Sequence, residues 1–207
     1  MGSHFVSDLT WRWRRWLGAG RAAAAPLSTA GTALAAQPSL APGQLVQLLG
    51  PAGAGKTTLA LQLAHACLAG GAAVAWLDGD GTLEPSRLAA LGAPAYLAVP
   101  SSQAQAWSFC CGLLRPGLGL LVLDAAHTWW PGRPVAAAAG PSGVALWRAA
   151  RAAGAIVLAC EICRQRPAAA AGLTAGYAGT RLWLSGATAV EICRWGAAVQ
   201  SLPATLA

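Results

Sequence analysis

The sequence predicts an α/β fold: a mainly parallel, twisted sheet with helices on both faces, completed by a C-terminal antiparallel hairpin. Three observations carry this. Short apolar runs of strand length alternate with helix-length segments between residues 44 and 160, the pattern of a parallel sheet built from crossover units. The first unit contains Gly50-Pro51-Ala52-Gly53-Ala54-Gly55-Lys56-Thr57, which reads G-x-x-x-x-G-K-T between an apolar run and a helix, the context of a phosphate-binding loop. Beyond residue 180, two strand-like runs flank Ser185-Gly186-Ala187, a hairpin signal.

The chain divides into residues 1–25, a Trp/Arg-rich segment, and a core domain over 26–207. Met1-Gly2-Ser3-His4 resembles the remnant of an expression tag. Within residues 8–25, Leu9, Trp13, Trp16 and Leu17 fall on one helical face, with Arg12, Arg15 and Arg21 largely off it. Such a helix packs on its own domain, on a second copy of the chain, on another protein, or on a nucleic-acid backbone. A small-residue connector spans 26–42.

In the core, strands are predicted at 45–49, 73–78, 96–99, 118–124 and 155–160, and helices at 57–69, 86–91, 103–114 and 142–153. The hairpin runs are 181–185 and 188–194. No further strand is expected after Trp195.

Composition narrows the function classes. The 207 residues are 56% hydrophobic and 10% charged, which excludes a disordered chain and supports one α/β domain with a sizeable core. The net charge of +7 suits a polyanionic partner. Six cysteines are present, at 67, 110, 111, 160, 163 and 193. No apolar signal-peptide core precedes them, so a cytoplasmic protein with reduced thiols is expected. Cys160-x-x-Cys163 has no second pair at metal spacing and reads as core thiols. Residues 57–77 are uncharged but broken by Gln62, His65 and Gly70-Gly71, so no membrane span is predicted.

Lys56 is the one lysine of the chain; the other thirteen cationic side chains are arginines. It stands where a flexible ammonium reaches the β- and γ-phosphates of a nucleotide, and the Thr57 hydroxyl stands where Mg²⁺ is ligated. Gly50, Pro51, Ala52, Gly53, Ala54, Gly55 and Thr58 supply the rest of the loop, whose backbone N–H groups cradle phosphate oxygens at a helix N-terminus. Residues 118–124 (LGLLVLD) form an apolar run ending in Asp124, placed to hold Mg²⁺ through water at the carboxyl end of a buried strand. The run from Ala73 ends near Asp78 and Asp80, at the same sheet edge. Asp80 is the acid best placed to orient or deprotonate an attacking water.

These ordered features resemble the RecA/RadA recombinases, a RecA-like P-loop NTPase core, over about residues 27–196. Leu27-Ser28-Thr29-Ala30-Gly31 is similar to the family's Ser-Thr-Gly segment, and 43–61 to its strand, phosphate loop and helix. Residues 77–85 followed by Leu91-Gly92 are similar to its Ile-Asp-x-Glu-x-x-[Leu/Phe]-x-Pro segment. Residues 121–125, 155–162 and 174–194 match its metal-binding strand, the strand leading to its second DNA loop, and its Thr-Gly-Gly-x-Ala stretch. The resemblance implies a minimal paralogue that binds ATP and Mg²⁺ and acts in DNA repair or recombination, a DNA-dependent ATPase if active.

The resemblance further implies that Arg87 stacks on adenine and that Glu161 stands at the nucleotide-sensing position. It places loops at 129–140 and 163–180, where Arg133, Arg164, Arg166 and Tyr177 contact single-stranded DNA. Two positions depart from the family: its catalytic glutamate is Asp80 here, and its sensing glutamine is Glu161. Both bear on the coupling of ATP to DNA. Two other readings stay open. One is an adaptor of the ImuA type, recruiting a translesion polymerase through the N-terminal helix with little or no ATP turnover. The other is a P-loop ATPase outside DNA metabolism.

Overall fold

A computed structural model describes residues 40–84, 86–87, 90, 95–98, 109–125, 141–163, 180–186, 189–194 and 200–203. The strands are β1 (Leu45–Gly50), β2 (Ala73–Asp78), β3 (Ala95–Ala98), β4 (Leu118–Asp124), β5 (Ile156–Ile162), β6 (Thr180–Gly186), β7 (Ala189–Arg194) and β8 (Gln200–Pro203). Two helices are described in full, α1 (Lys56–Ala69) and α2 (Pro141–Ala153). The N-terminal segment and most of both predicted DNA loops, including Arg133, Arg164, Arg166 and Tyr177, lie outside the described residues.

The strands form one sheet in the order β3-β2-β4-β5-β1-β6-β7-β8. From β3 to β6 every neighbouring pair is parallel, while β7 is antiparallel to β6 and β8 to β7. The central strands are buried on both faces and read accordingly as continuous apolar runs, such as AVAWLD in β2 and LGLLVLD in β4.

Two apolar layers flank the sheet. Leu59, Leu63 and Cys67 of α1 pack with Val46, Leu48, Trp76, Val122 and Leu158 on one side. Leu146, Ala150 and Ala153 of α2 pack with Leu45, Leu121 and Val157 on the other. Alternation along each strand sorts its residues between the layers.

Both helices stop by the same device. Gly71 and Gly154 sit at positive φ. The following amides, of Ala72 and Ala155, return to the carbonyls of Cys67 and Ala150 at 3.2 and 3.0 Å, the Schellman arrangement that glycine permits without steric penalty. The chain is thereby turned straight into β2 and β5.

Among the described elements, two features depart from the sequence prediction by more than a single residue. Strand β5 runs on to Ile162, two residues past the expected end, because β1 continues to pair with it through Gly50. Strand β8 is unforeseen. QSLP lacks the β-branched alternation that marks a strand, and its proline is tolerated because β8 is the edge of the sheet.

Candidate nucleotide-binding site

The carboxyl ends of β1, β2, β4 and β5 converge on one sheet edge, where ligands bind in parallel α/β sheets. Gly50 ends β1 with its backbone pressed against β6. A Cβ there would lie 2.5 Å from the Leu184 carbonyl oxygen, so the chain can leave the sheet at this point only as glycine. Residues 51–55 then turn back, with Ala54 N–H donating to the Pro51 carbonyl at 3.3 Å. Gly55 takes φ 87° and ψ 15° at the N-cap of α1, with no side chain capping the helix. The first turn of α1 therefore presents backbone N–H groups and the positive end of the helix dipole toward the edge.

The loop, the end of β4 and the segment after β2 enclose a cleft of about 310 Å³. It is lined by Ala52, Gly53, Gly55, Lys56, Thr57, Thr58, Asp80, Thr82, Asp124, Ala125, Cys160 and Ile162. Lys56 is largely buried, and its ammonium donates to the carbonyls of Gly50 at 3.0 Å and Pro51 at 2.7 Å. Burial holds its pKa below the ordinary lysine value, against the opposing pull of Cys160 and Asp124.

The Thr57 hydroxyl donates to Asp124 Oδ2 at 3.3 Å, and Asp124 Oδ1 accepts from the Ala125 amide at 3.0 Å. Ala125 adopts φ 51°, a rare conformation for a residue with a side chain. Asp124 is buried, which raises its pKa. Ala125's N–H and Thr57's hydroxyl lower it, while the negative charges of Asp78 and Asp80 raise it further.

Asp78 and Asp80 play different parts. Asp78 is buried; its two oxygens accept from the amides of Gly81 at 3.1 Å and Leu83 at 2.8 Å. It braces the turn that carries Asp80. Asp80 Oδ1 accepts from the Thr82 hydroxyl at 2.7 Å and the Thr82 amide at 3.4 Å. The two aspartates influence each other, and their pKa values move in opposite directions. Asp78 is pushed up, chiefly by burial. For Asp80, desolvation is outweighed by the Thr82 hydroxyl and the Asp78 carboxyl, so its pKa falls.

Lys56, Thr57, Asp80 and Asp124 thus meet in one cleft, together with loop residues Ala52, Gly53, Gly55 and Thr58. Glu161 does not line it. Its neighbours Cys160 and Ile162 do, so strand alternation turns Glu161 to the opposite sheet face. There its carboxylate accepts from the Gln47 amide at 3.2 Å, and it is buried. Arg87 is exposed in a helical turn whose amide donates to the Glu84 carbonyl at 3.0 Å, and it is outside the cleft lining. Thr82 and Ile162 carry no site role in the sequence reading, and Cys160 is read there only as a core thiol. Only Thr82 leaves a signal there, as a hydroxyl two residues after an aspartate in a turn.

The donor set suits a hard cation shared with phosphate. Among the described residues, no three His, Cys, Asp or Glu side chains form a metal-holding group. A buried carboxylate beside a threonine hydroxyl, facing a loop of backbone amides, fits the few protein ligands that a Mg²⁺ ion takes when water and phosphate oxygens would supply the rest. No described helix is long and apolar enough to cross a membrane.

No family model matches the chain. It is similar to Protein RecA of Rubrobacter xylanophilus, 36% identical over 109 residues that cover 50% of this chain and 31% of that protein. The matched stretch thus spans about a third of the relative's length, and the similarity supports a partial and distant RecA-like relationship.

Proposed function

We propose that this chain is a RecA-like ATP-binding protein that acts in DNA repair or recombination, binding ATP with Mg²⁺ and single-stranded DNA. The observation that carries the reading is the meeting of Lys56, Thr57, Asp124 and Asp80 in one cleft at the N-terminus of α1. The RecA-like relationship supports the DNA half, as does the charge of +7.

On this reading the amides of the 50–58 loop and Lys56 bind the β- and γ-phosphates, and Thr57 and Asp124 hold Mg²⁺. When bound, the cation neutralises charge developing on the phosphates. Lys56 is already anchored by the Gly50 and Pro51 carbonyls, so its ammonium is oriented before nucleotide arrives. Asp80, which lines the cleft, accepts a proton from water. Arg133, Arg164, Arg166 and Tyr177 contact single-stranded DNA by phosphate pairing and base stacking. The Trp/Arg-rich N-terminal segment docks on a second copy or on a protein partner.

Isothermal titration of the protein with ATP tests the nucleotide half. One-to-one binding that weakens when EDTA removes Mg²⁺ is expected. No heat of binding, at protein concentrations up to tens of micromolar, would refute it.

A further inference from the structure

The geometry points to Thr82 as the residue that positions the Asp80 carboxylate for its encounter with water, an inference that rests on the ATP-binding reading above. Asp80 is exposed, and a surface aspartate ordinarily samples several rotamers. Here one of its oxygens accepts twice from Thr82, from the hydroxyl at 2.7 Å and from the amide at 3.4 Å. Thr82 itself lines the cleft, so this pair of bonds ties the carboxylate to the cleft wall.

Thr82 is in turn fixed from both sides. Asp78 accepts from the amides of Gly81 and Leu83, the residues flanking it. Leu83 is buried in the layer beneath α1, and Gly81 holds φ 68°, a value that favours glycine. The segment 78–83 is therefore a braced turn in which Thr82 has a set direction. A hydroxyl has a single proton to donate, and at this position it goes to Asp80. The side chain of Asp80 is short, so the aim of its carboxylate matters more than it would for a longer acid. An error of about 1 Å in such a group can cost 10²-fold in rate.

In the hydrolysis step Asp80 takes a proton from the attacking water as the water oxygen bonds to the γ-phosphorus. The bond from that phosphorus to the bridging oxygen breaks, ADP leaves with the electron pair, and the proton passes to the released phosphate. Thr82 touches neither water nor phosphate in this scheme; it is a positioning residue.

The test compares wild type, Thr82→Val, Thr82→Ser, Asp80→Asn and the Asp80→Asn/Thr82→Val double variant. Valine keeps the shape and removes the hydroxyl; serine keeps the hydroxyl. The loss of one hydrogen bond to a charged group sets the expected fall in kcat for Thr82→Val at about 10- to 100-fold. ATP affinity should be unchanged, and Thr82→Ser should retain most of the rate. The double variant should be no slower than Asp80→Asn alone, since both changes act on one group.

A second readout needs no nucleotide. The chain has four aspartates, at 8, 78, 80 and 124, so ¹³Cγ-aspartate labelling gives a four-line spectrum in which Asp80→Asn assigns Asp80. That resonance should move in Thr82→Val and stay in place in Thr82→Ser. An unmoved resonance, an unchanged kcat in Thr82→Val, or a wild type that binds ATP without turning it over would each overturn the role of Thr82. Absence of ATP binding in the wild type would instead remove the reading on which it rests.

Discussion

Lys56→Ala separates anion binding from folding with unusual clarity. The ammonium donates to two loop carbonyls, of Gly50 and Pro51. Each of those carbonyls has another donor: the Cys163 amide reaches Gly50 at 3.0 Å, and the Ala54 amide reaches Pro51 at 3.3 Å. Removing the lysine therefore strands no buried acceptor, and it also removes a desolvated cation. The nucleotide-free variant should melt within about 2–4 °C of wild type, the shift that about 1 kcal/mol produces in a domain of this size.

The nucleotide complex has no such compensation. An ammonium about 4 Å from a phosphate charge, at an effective dielectric near 20, contributes about 4 kcal/mol. Losing it weakens binding by about 10³-fold. Titration calorimetry with ATP and Mg²⁺, beside thermal melts of the free protein, reads both quantities. A dissociation constant within about threefold of wild type, with an unchanged melting temperature, would refute the placement of phosphate at Lys56.

Three further outcomes are expected, the first two from the geometry of the cleft and the third from the proposed DNA loop. Asp124 and Asp78 have pKa values raised above the ordinary 3.8. Their native forms favour the proton, so their contribution to stability is full below 3.8 and is lost as pH rises through the raised values; Asp80, lowered, acts in the opposite sense. Asp124→Asn should flatten this decline in melts between pH 4 and 8, raise the neutral-pH melting temperature of the free protein by a few degrees, and weaken Mg²⁺-dependent ATP binding; a lowered melting temperature counts against it. Glu161→Gln keeps an acceptor for the Gln47 amide on the face away from the cleft, so ATP affinity should change less than threefold; a tenfold change would place that side chain at the nucleotide. Replacing Arg164 and Arg166 together with alanine should weaken single-stranded DNA binding at 50 mM salt and reduce its salt dependence by about one to two in log–log slope, whereas unchanged polarisation-binding curves would move the DNA contact elsewhere.

The cleft was legible in sequence where local rules are strong. G-x-x-x-x-G-K-T between an apolar strand and a helix locates the loop, because turn, dipole and cation are all consecutive in the chain. Asp124 was legible as the terminus of a buried strand, and the structure sets its carboxylate 3.3 Å from the Thr57 hydroxyl. The face of Glu161 was also available in principle. A period of two puts it opposite Cys160 and Ile162, but resemblance to a sensing position drew the expectation toward the nucleotide. Long-range pairing hid the rest. That β5 extends to Ile162 depends on its partner β1. That both oxygens of Asp78 accept from backbone amides depends on a turn no propensity specifies. Strand β8 owes its place to the edge of β7 and not to its own composition.

The most direct test of the account is the rate of ATP hydrolysis by the wild-type chain with and without single-stranded DNA at low salt. The account predicts Mg²⁺-dependent turnover that rises when DNA is added and is abolished by Lys56→Ala. A chain that neither binds nor hydrolyses ATP, with DNA present or absent, would contradict it.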